Sequence, residues 1–185
     1  AEVREAVDFC RYYAARARHD LVPVELPGPT GERNVLRHEG RGVWAAIAPW
    51  NFPLAISMGM TAAAIVTGNT VIYKPSSQSA VTGRMIYRIF EMCKLPTGVL
   101  NFLPGPGGEI GDLLVTHPDI AFIAFTGSKE VGLRIIELAG NRIEGSSGTK
   151  KVIAEMGGKN AIIVDADADL DEAVYYILHS AFDYQ

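Results

Sequence analysis

Four polar side chains of different chemistry follow apolar stretches of this sequence. They are Asn51 in WNFPLA, Lys74 in TVIYKPS, Ser128 in AFTGS and Glu155 in AEMGGK. An amide among apolar side chains lowers stability unless it has a hydrogen-bonding partner, so Asn51 should have one. Amide, ammonium, hydroxyl and carboxylate groups at one site can bind an anion, stabilise a developing negative charge and accept a proton.

The elements that would position these side chains alternate from Val43 onward. Apolar runs predict strands at 43–49, 70–75, 98–105, 120–128, 150–158 and 160–167, and helical periodicity predicts helices at 57–68, 79–93, 108–117, 129–140 and from Asp169. Continuous apolar strands that alternate with helices are typical of a parallel sheet covered on both faces. Ligands bind beyond the carboxyl ends of such strands, so the four polar side chains should converge at one edge of the sheet.

Each of these side chains also has an ordinary structural explanation when it is taken alone. Asn51 could satisfy a turn, Lys74 could be a surface charge, and Ser128 could simply cap a helix. Their common position at strand ends is what favours a shared functional site.

The first part of the chain has a different pattern. Residues 1–18 predict an amphipathic helix with one apolar stripe formed by Val3, Val7, Cys10, Ala14 and Ala17. Pro and Gly interrupt residues 22–42, which predicts a protruding hairpin. We therefore divide the chain into a region 1–42, with the helix and hairpin, and a domain 43–185.

Composition predicts a soluble, globular protein. The 185 residues are 48% hydrophobic and 21% charged, with a net charge of −4, which argues against a nucleic-acid-binding surface. No apolar run approaches the roughly 18–20 residues that span a membrane. Cys10 and Cys93 form no CxxC pair, which favours a reducing compartment, the cytoplasm or a mitochondrial matrix. Their apolar neighbours predict that both thiols are buried and unreactive.

Several familiar motifs are absent from the sequence. GPGGEIG has Ile110 where a dinucleotide fingerprint needs glycine, and GSKEVGL has Leu133 where a P-loop needs lysine. DADAD begins like a calcium loop but has Leu170 at the sixth position, and the four histidines lack metal-ligand spacing. We therefore predict no metal site.

The combination PWNFP, KPS, FTGS and EMGGK, in this order, resembles the aldehyde dehydrogenase superfamily from about Val43 to Gln185. The resemblance implies a Rossmann-like α/β cofactor domain without the usual glycine fingerprint. It also implies that residues 1–42 belong to the oligomerisation region of a homo-oligomer.

The resemblance also implies roles for individual residues. Asn51 matches the amide of an oxyanion hole, and Glu155 matches the general base that activates water for thioester hydrolysis. Phe52 matches a wall of the aldehyde channel, although simple core packing is equally compatible with it. The implied cofactor contacts are Trp50, Lys74, Ser77, Gly105, Thr126, Gly127, Ser128, Met156 and Gly157.

The implied cofactor is NAD, with NADP as an open alternative. Ser77 stands where many NAD-selective members have a glutamate that repels the 2′-phosphate of NADP. Within the superfamily, stretches such as REAVDFCRYYA and KKVIAEMGGKNAIIVDADADLDEAV are most similar to the branch that oxidises L-glutamate gamma-semialdehyde (1-pyrroline-5-carboxylate) in proline catabolism.

The nucleophilic cysteine of the family is expected about four residues past Gln185, from the spacing of the family motif. Both ends of the sequence look cut from a larger protein, so we expect this chain alone to be inactive. The alternatives are another aldehyde dehydrogenase branch, or a nucleotide-binding protein of the same fold without catalysis. Asn51 and Glu155 favour an enzyme, because a purely structural role requires neither.

Overall fold

Residues 1–142, 144–146 and 148–183 are described by the computed structural model, and this part of the chain contains seven strands and six α-helices. Helix α1 (Glu2–Asp20) precedes an antiparallel hairpin of β1 (Val24–Leu26) and β2 (Asn34–Leu36), as the sequence predicts. The other elements are β3 (Val43–Ile47), α2 (Ala55–Val66), β4 (Thr70–Lys74), α3 (Ala80–Met92), β5 (Leu100–Phe102), α4 (Gly107–Thr116), β6 (Ile120–Gly127), α5 (Lys129–Gly140), β7 (Lys151–Met156) and α6 (Leu170–Phe182).

Strands β3 to β7 form one parallel sheet in the order β5-β4-β3-β6-β7. The chain starts in the middle at β3, adds β4 and β5 on one side, and then crosses over for β6 and β7. The direction of winding therefore reverses between β3 and β6. Open sheets bind ligands beyond the carboxyl ends of the strands at such a reversal.

Two clusters of buried side chains cover the two faces of this sheet. Helices α2 and α3 pack on one face around Tyr73 and Ile86, and α4 and α5 pack on the other around Ile123 and Ile135. Tyr73 is fully buried, and its hydroxyl donates a hydrogen bond of 2.8 Å to Oγ of Ser57 in α2. The predicted parallel, Rossmann-like sheet with helices on both faces is confirmed.

The apolar stripe predicted for α1 is wrong in its first half, because Val3, Val7 and Cys10 are exposed, whereas Ala14 and Ala17 are half-buried. Val3 is 68% exposed, whereas the helix packs on α2 through Ala6 and through Phe9, whose ring lies against Gly59. The sequence of α1 offers apolar residues on more than one side. Small residues allow helices to approach closely, and this favours the face with Ala6.

The strand predicted at residues 160–167 is also wrong, because this segment is irregular, ends in a turn at 166–167 and pairs with no described strand. Ile162 and Ile163 are 55% and 92% exposed. Helix α6 follows it and has no buried residue. Its start is as predicted, since the Asp169 carboxylate accepts hydrogen bonds from two first-turn N–H groups at 3.0 and 3.1 Å. Within the described chain, no helix combines the length and the apolar character needed to cross a membrane.

Candidate functional site

The loops at the carboxyl ends of β3, β4, β6 and β7 enclose a cleft with a volume of ≈ 1070 Å³. It lies at the edge of the sheet where the winding reverses. The predicted site residues that line it are Trp50, Asn51, Lys74, Ser77, Thr126, Gly127, Ser128, Glu155, Met156 and Gly157. The structure thus brings the four predicted loops together around one space.

Two predicted site residues, Gly105 and Phe52, do not line the cleft. The carbonyl oxygen of Gly105 accepts a hydrogen bond of 3.2 Å from Oγ of Ser77, so Gly105 supports a lining residue. Phe52 is half-buried in the turn before α2, where its carbonyl accepts a hydrogen bond from the N–H of Ile56. A role for Phe52 in an aldehyde channel stays a prediction.

Asn51 is exposed to the cleft rather than enclosed by apolar side chains. Its neighbour Trp50 is 52% exposed. Among the residues that the structure describes, none forms a hydrogen bond with the Asn51 amide, and its predicted partner, an oxygen atom of the reacting ligand, stays a prediction. The amide is available to donate to an oxygen atom of a ligand.

Lys74 is the last residue of β4 and is only 6% exposed. Its ammonium donates one long hydrogen bond, 3.4 Å, to the carbonyl oxygen of Pro75. Burial lowers the pKa of the Lys74 ammonium below its usual value, because desolvation disfavours the charged form. An ammonium group can donate three hydrogen bonds, so Lys74 can serve further acceptors in the cleft.

Two helices begin at the wall of the cleft. Ser128 is the N-cap of α5, and its hydroxyl accepts a hydrogen bond of 3.3 Å from the N–H of Val131. Helix α4 begins without a side-chain cap, and its first residues, Gly107 and Gly108, line the cleft. Free N–H groups and the positive ends of two helix dipoles make this part of the cleft suitable for an anion such as a phosphate.

The end of β7 forms another part of the cleft wall. Glu155 and Met156 lie beside Thr126 and Gly127 of β6 in the parallel register, and the Glu155 carboxylate is exposed. Helix α5 passes close to this wall, since a Cβ atom on Gly132 would lie 2.4 Å from Sδ of Met156. The glycine therefore allows Met156 to pack beneath α5 at the edge of the cleft.

Most of the wall that α4 and α5 provide was not predicted from the sequence. Arg134 of α5 donates to the two carboxylate oxygens of Asp112 of α4 at 2.9 and 2.5 Å, and both residues line the cleft. The hydrogen bonds from Arg134 lower the pKa of the Asp112 carboxyl, and the same bonds raise the pKa of Arg134. The sequence does indicate that α4 belongs to this wall, because α4 follows β5, whose carboxyl end lies at the same edge of the sheet.

Neither cysteine lines the cleft, and both are exposed, so the prediction of buried thiols is wrong. Partial burial, together with the charge of Cys93, raises the pKa of the Cys10 thiol, which works against a reactive thiolate. In the described part of the chain, no group of His, Cys, Asp and Glu is arranged to hold a metal ion.

Known proteins resemble the chain along its whole length. The chain is 48% identical over 184 residues to a 1-pyrroline-5-carboxylate dehydrogenase of Anoxybacillus flavithermus, covering 98% of this chain and 35% of the relative. It is 46% identical over 184 residues to the Bacillus subtilis protein of the same name, covering 100% of this chain and 36% of the relative. The chain therefore spans about a third of the length of these curated relatives.

Solved structures show the same relationship. The 1-pyrroline-5-carboxylate dehydrogenase from Thermus with bound NAD superposes with a TM-score of 0.93 at 46% identity, over 98% of this chain and 35% of that one. Proline utilization A from Bdellovibrio bacteriovorus, inactivated by N-propargylglycine, gives a TM-score of 0.93 at 50% identity, over 98% of this chain and 19% of that one. The sequence pattern of the aldehyde dehydrogenase family matches residues 1–185, and the chain therefore belongs to that family.

Proposed function

We propose that the whole protein oxidises L-glutamate gamma-semialdehyde (1-pyrroline-5-carboxylate) to L-glutamate with NAD and water, in proline catabolism. This chain forms its cofactor-binding part and is inactive alone. The observation that carries the proposal is that Asn51 and Glu155 line the same cleft as the buried Lys74. The relatives named 1-pyrroline-5-carboxylate dehydrogenase, at 46–48% identity, support the choice of substrate.

The cleft fits a dinucleotide in volume and in chemistry. Lys74 would donate a hydrogen bond to the adenosine ribose, and the start of α5 at Ser128 would hold the pyrophosphate. Bound NAD would supply the acceptor for the hydride that leaves the aldehyde carbon. NADP stays an alternative, because Ser77 offers no carboxylate to repel a 2′-phosphate.

Asn51 and Glu155 would act at different stages of the reaction. The Asn51 amide would donate to the aldehyde oxygen as that oxygen gains negative charge during attack by the family's cysteine thiolate. A preorganised donor of this kind lowers a barrier by about 3–4 kcal/mol. In the second stage water adds to the acyl carbon, Glu155 accepts a proton from that water, and the thiolate leaves.

Glu155→Gln in the whole protein tests the second stage. The substitution should allow the first hydride transfer and stall release of the acyl group. Rapid mixing should then show a burst of NADH without steady turnover. Glu137→Gln, an exposed carboxylate of α5 outside the cleft, is the matched control. Unchanged steady-state turnover of Glu155→Gln would contradict the proposed role.

Asn51→Ala tests the first stage. We expect kcat to fall by about 100- to 1000-fold while the Kd for NAD stays nearly constant. Asn141→Ala, at the C-terminal end of α5 and outside the cleft, is the control. Equal losses of kcat and NAD affinity would indicate misfolding rather than loss of an oxyanion donor.

Substrate comparison separates the proposal from its alternatives. A higher kcat/KM for glutamate semialdehyde than for simple aliphatic aldehydes supports it. The reverse order indicates another branch of the family. Binding of NAD without NADH formation from any aldehyde indicates a nucleotide-binding protein without catalysis.

We further propose that the whole protein is a cytoplasmic homo-oligomer, or a matrix protein in a eukaryote, with the β1–β2 hairpin at a subunit contact. Val24, Leu26 and Leu36 of the hairpin are 46–49% exposed, which supports such a contact. Light scattering should show a lower molar mass after Leu26→Glu; an unchanged mass would remove the hairpin from the interface.

A further inference from the structure

Helix α2 begins directly after the loop that carries Asn51, and its own N-cap residue, Leu54, provides no side-chain acceptor. The acceptor comes from another helix instead. Oε1 of Glu2, in the first turn of α1, accepts hydrogen bonds from the N–H groups of Leu54 at 2.6 Å and Ala55 at 3.1 Å. A carboxylate at this position satisfies free N–H groups and interacts favourably with the helix dipole.

The Asn51 loop is therefore fixed at both ends. At its start, the N–H of Ala48 donates a hydrogen bond of 3.0 Å to the carbonyl oxygen of Lys74, which continues the sheet. At its end, Glu2 holds Leu54. Between the two anchors lies only the segment PWNFP, whose two prolines restrict the backbone further.

The rest of α1 determines where the Glu2 carboxylate lies. Ala6, one turn further along, is 5% exposed. Phe9 packs so closely on α2 that a Cβ atom on Gly59 would lie 3.3 Å from its ring. This packing sets the position of α1 along α2 and therefore places the Glu2 carboxylate at the start of α2.

We infer that Glu2 is a positioning residue, which acts through Leu54 and Ala55 to hold the Asn51 amide at the site of developing charge. The inference rests on the proposed function, because that function gives Asn51 its role. Displacement of a reacting group by about 1 Å can lower a rate by about 100-fold, so a fixed loop matters for catalysis.

Glu2→Ala in the whole protein is the primary test. We expect kcat to fall by about 10- to 100-fold with little change in the Kd for NAD. Glu2→Gln should recover most of the lost kcat, because its amide oxygen can still accept both hydrogen bonds. Hydrogen exchange followed by mass spectrometry should show faster exchange of residues 50–55 in Glu2→Ala.

Asp169→Ala is the matched control. The Asp169 carboxylate also accepts from two first-turn N–H groups, at 3.0 and 3.1 Å, but it caps α6 and does not line the cleft. Both substitutions should lower the Tm, and only Glu2→Ala should lower kcat. A wild-type kcat in Glu2→Ala would overturn the inference.

The double variant decides whether Glu2 acts through Asn51. Glu2→Ala should add little further loss of kcat to Asn51→Ala, whereas a full multiplicative loss would overturn the inference. If Asn51→Ala alone keeps a wild-type kcat, the proposed function is refuted. The anchoring is refuted by a different result, which is unchanged hydrogen exchange of residues 50–55 in Glu2→Ala. If Glu2→Ala does not fold, Glu2→Asp replaces it, because aspartate keeps the charge but shortens the reach.

Discussion

Strand β6 of the central sheet and the segment after the sheet have similarly apolar sequences but opposite burial. Ile123 in β6 is completely buried, whereas Ile163 in NAIIVDAD is 92% exposed. Strand β6 has a strand on each side and helices above it, while residues 160–167 pair with no described strand. An apolar run therefore predicts that a segment can be buried. The neighbouring elements determine whether the segment is in fact buried.

The helices show the same contrast. Helix α5 buries Gly132, Ile135 and Ala139 against the sheet, whereas α6 buries none of its residues. The helical spacing of the apolar residues in α6 is nevertheless regular, as in Val174, Leu178 and Phe182, which are 53–79% exposed. Periodicity identifies the helix, but it does not identify the surface that would cover it.

The largest expected effect tests this contrast directly. Ile123→Ala should lower the free energy of unfolding by about 2–5 kcal/mol, because it leaves a cavity between the sheet and its helices. Ile163→Ala should change it by no more than about 0.5 kcal/mol. Urea-induced unfolding of both variants measures the difference. Similar losses at the two positions would show that residues 160–167 are buried in solution.

Tyr73 provides the next test, through pH. Burial raises the pKa of Tyr73 to about 12, and the hydrogen bond with Ser57 offsets part of the rise. An unfolded tyrosine titrates near pH 10. The folded protein therefore binds more protons between about pH 10 and about pH 12, and its stability should fall as pH rises through this window, by up to about 1.4 kcal/mol per pH unit.

Tyr73→Phe should remove this alkaline loss, although it should also lower stability at neutral pH by about 1 kcal/mol through the lost hydrogen bond. Tyr175→Phe in the exposed helix α6 should keep the alkaline loss. Urea unfolding below and above pH 10 checks both variants. An equal alkaline loss in Tyr73→Phe would mean that other groups cause it.

The smallest effect is expected at the rim of the cleft. Asp112→Asn removes the ion pair with Arg134, whose side chains are 56% and 62% exposed. The urea midpoint should fall slightly at low salt and very little at high salt, because salt screens exposed charges. Glu91→Gln, which removes the 3.7 Å pair with Arg84, should do less, since its geometry is poorer. A larger effect for Glu91→Gln would contradict this ranking.

The sheet could be predicted from the sequence because its inner strands β4, β3 and β6 are largely buried, and their apolar runs leave few other arrangements. The site followed from the sheet, since Asn51, Lys74, Ser128 and Glu155 all stand at carboxyl ends of parallel strands, which must share an edge.

The incorrect predictions share a physical cause, which is that they depended on partners that a local pattern does not specify. The stripe of α1 depended on which face meets α2, and the strand at 160–167 depended on a neighbouring strand. The enclosure of Asn51 depended on the direction in which its loop faces. The Asp112–Arg134 pair joins side chains 22 residues apart on two consecutive helices, so no local motif predicts it.

The burial of Lys74 affects stability and ligand binding in opposite directions. The Lys74 residue is 6% exposed and its ammonium makes one long hydrogen bond of 3.4 Å, so its desolvation lowers the stability of the protein without ligand. Lys74→Met should therefore raise the Tm without ligand and weaken binding of NAD, which calorimetry would detect. A lower Tm would contradict this trade-off. Lys74 would then be a residue that is retained for binding of the cofactor although it lowers the stability of the fold.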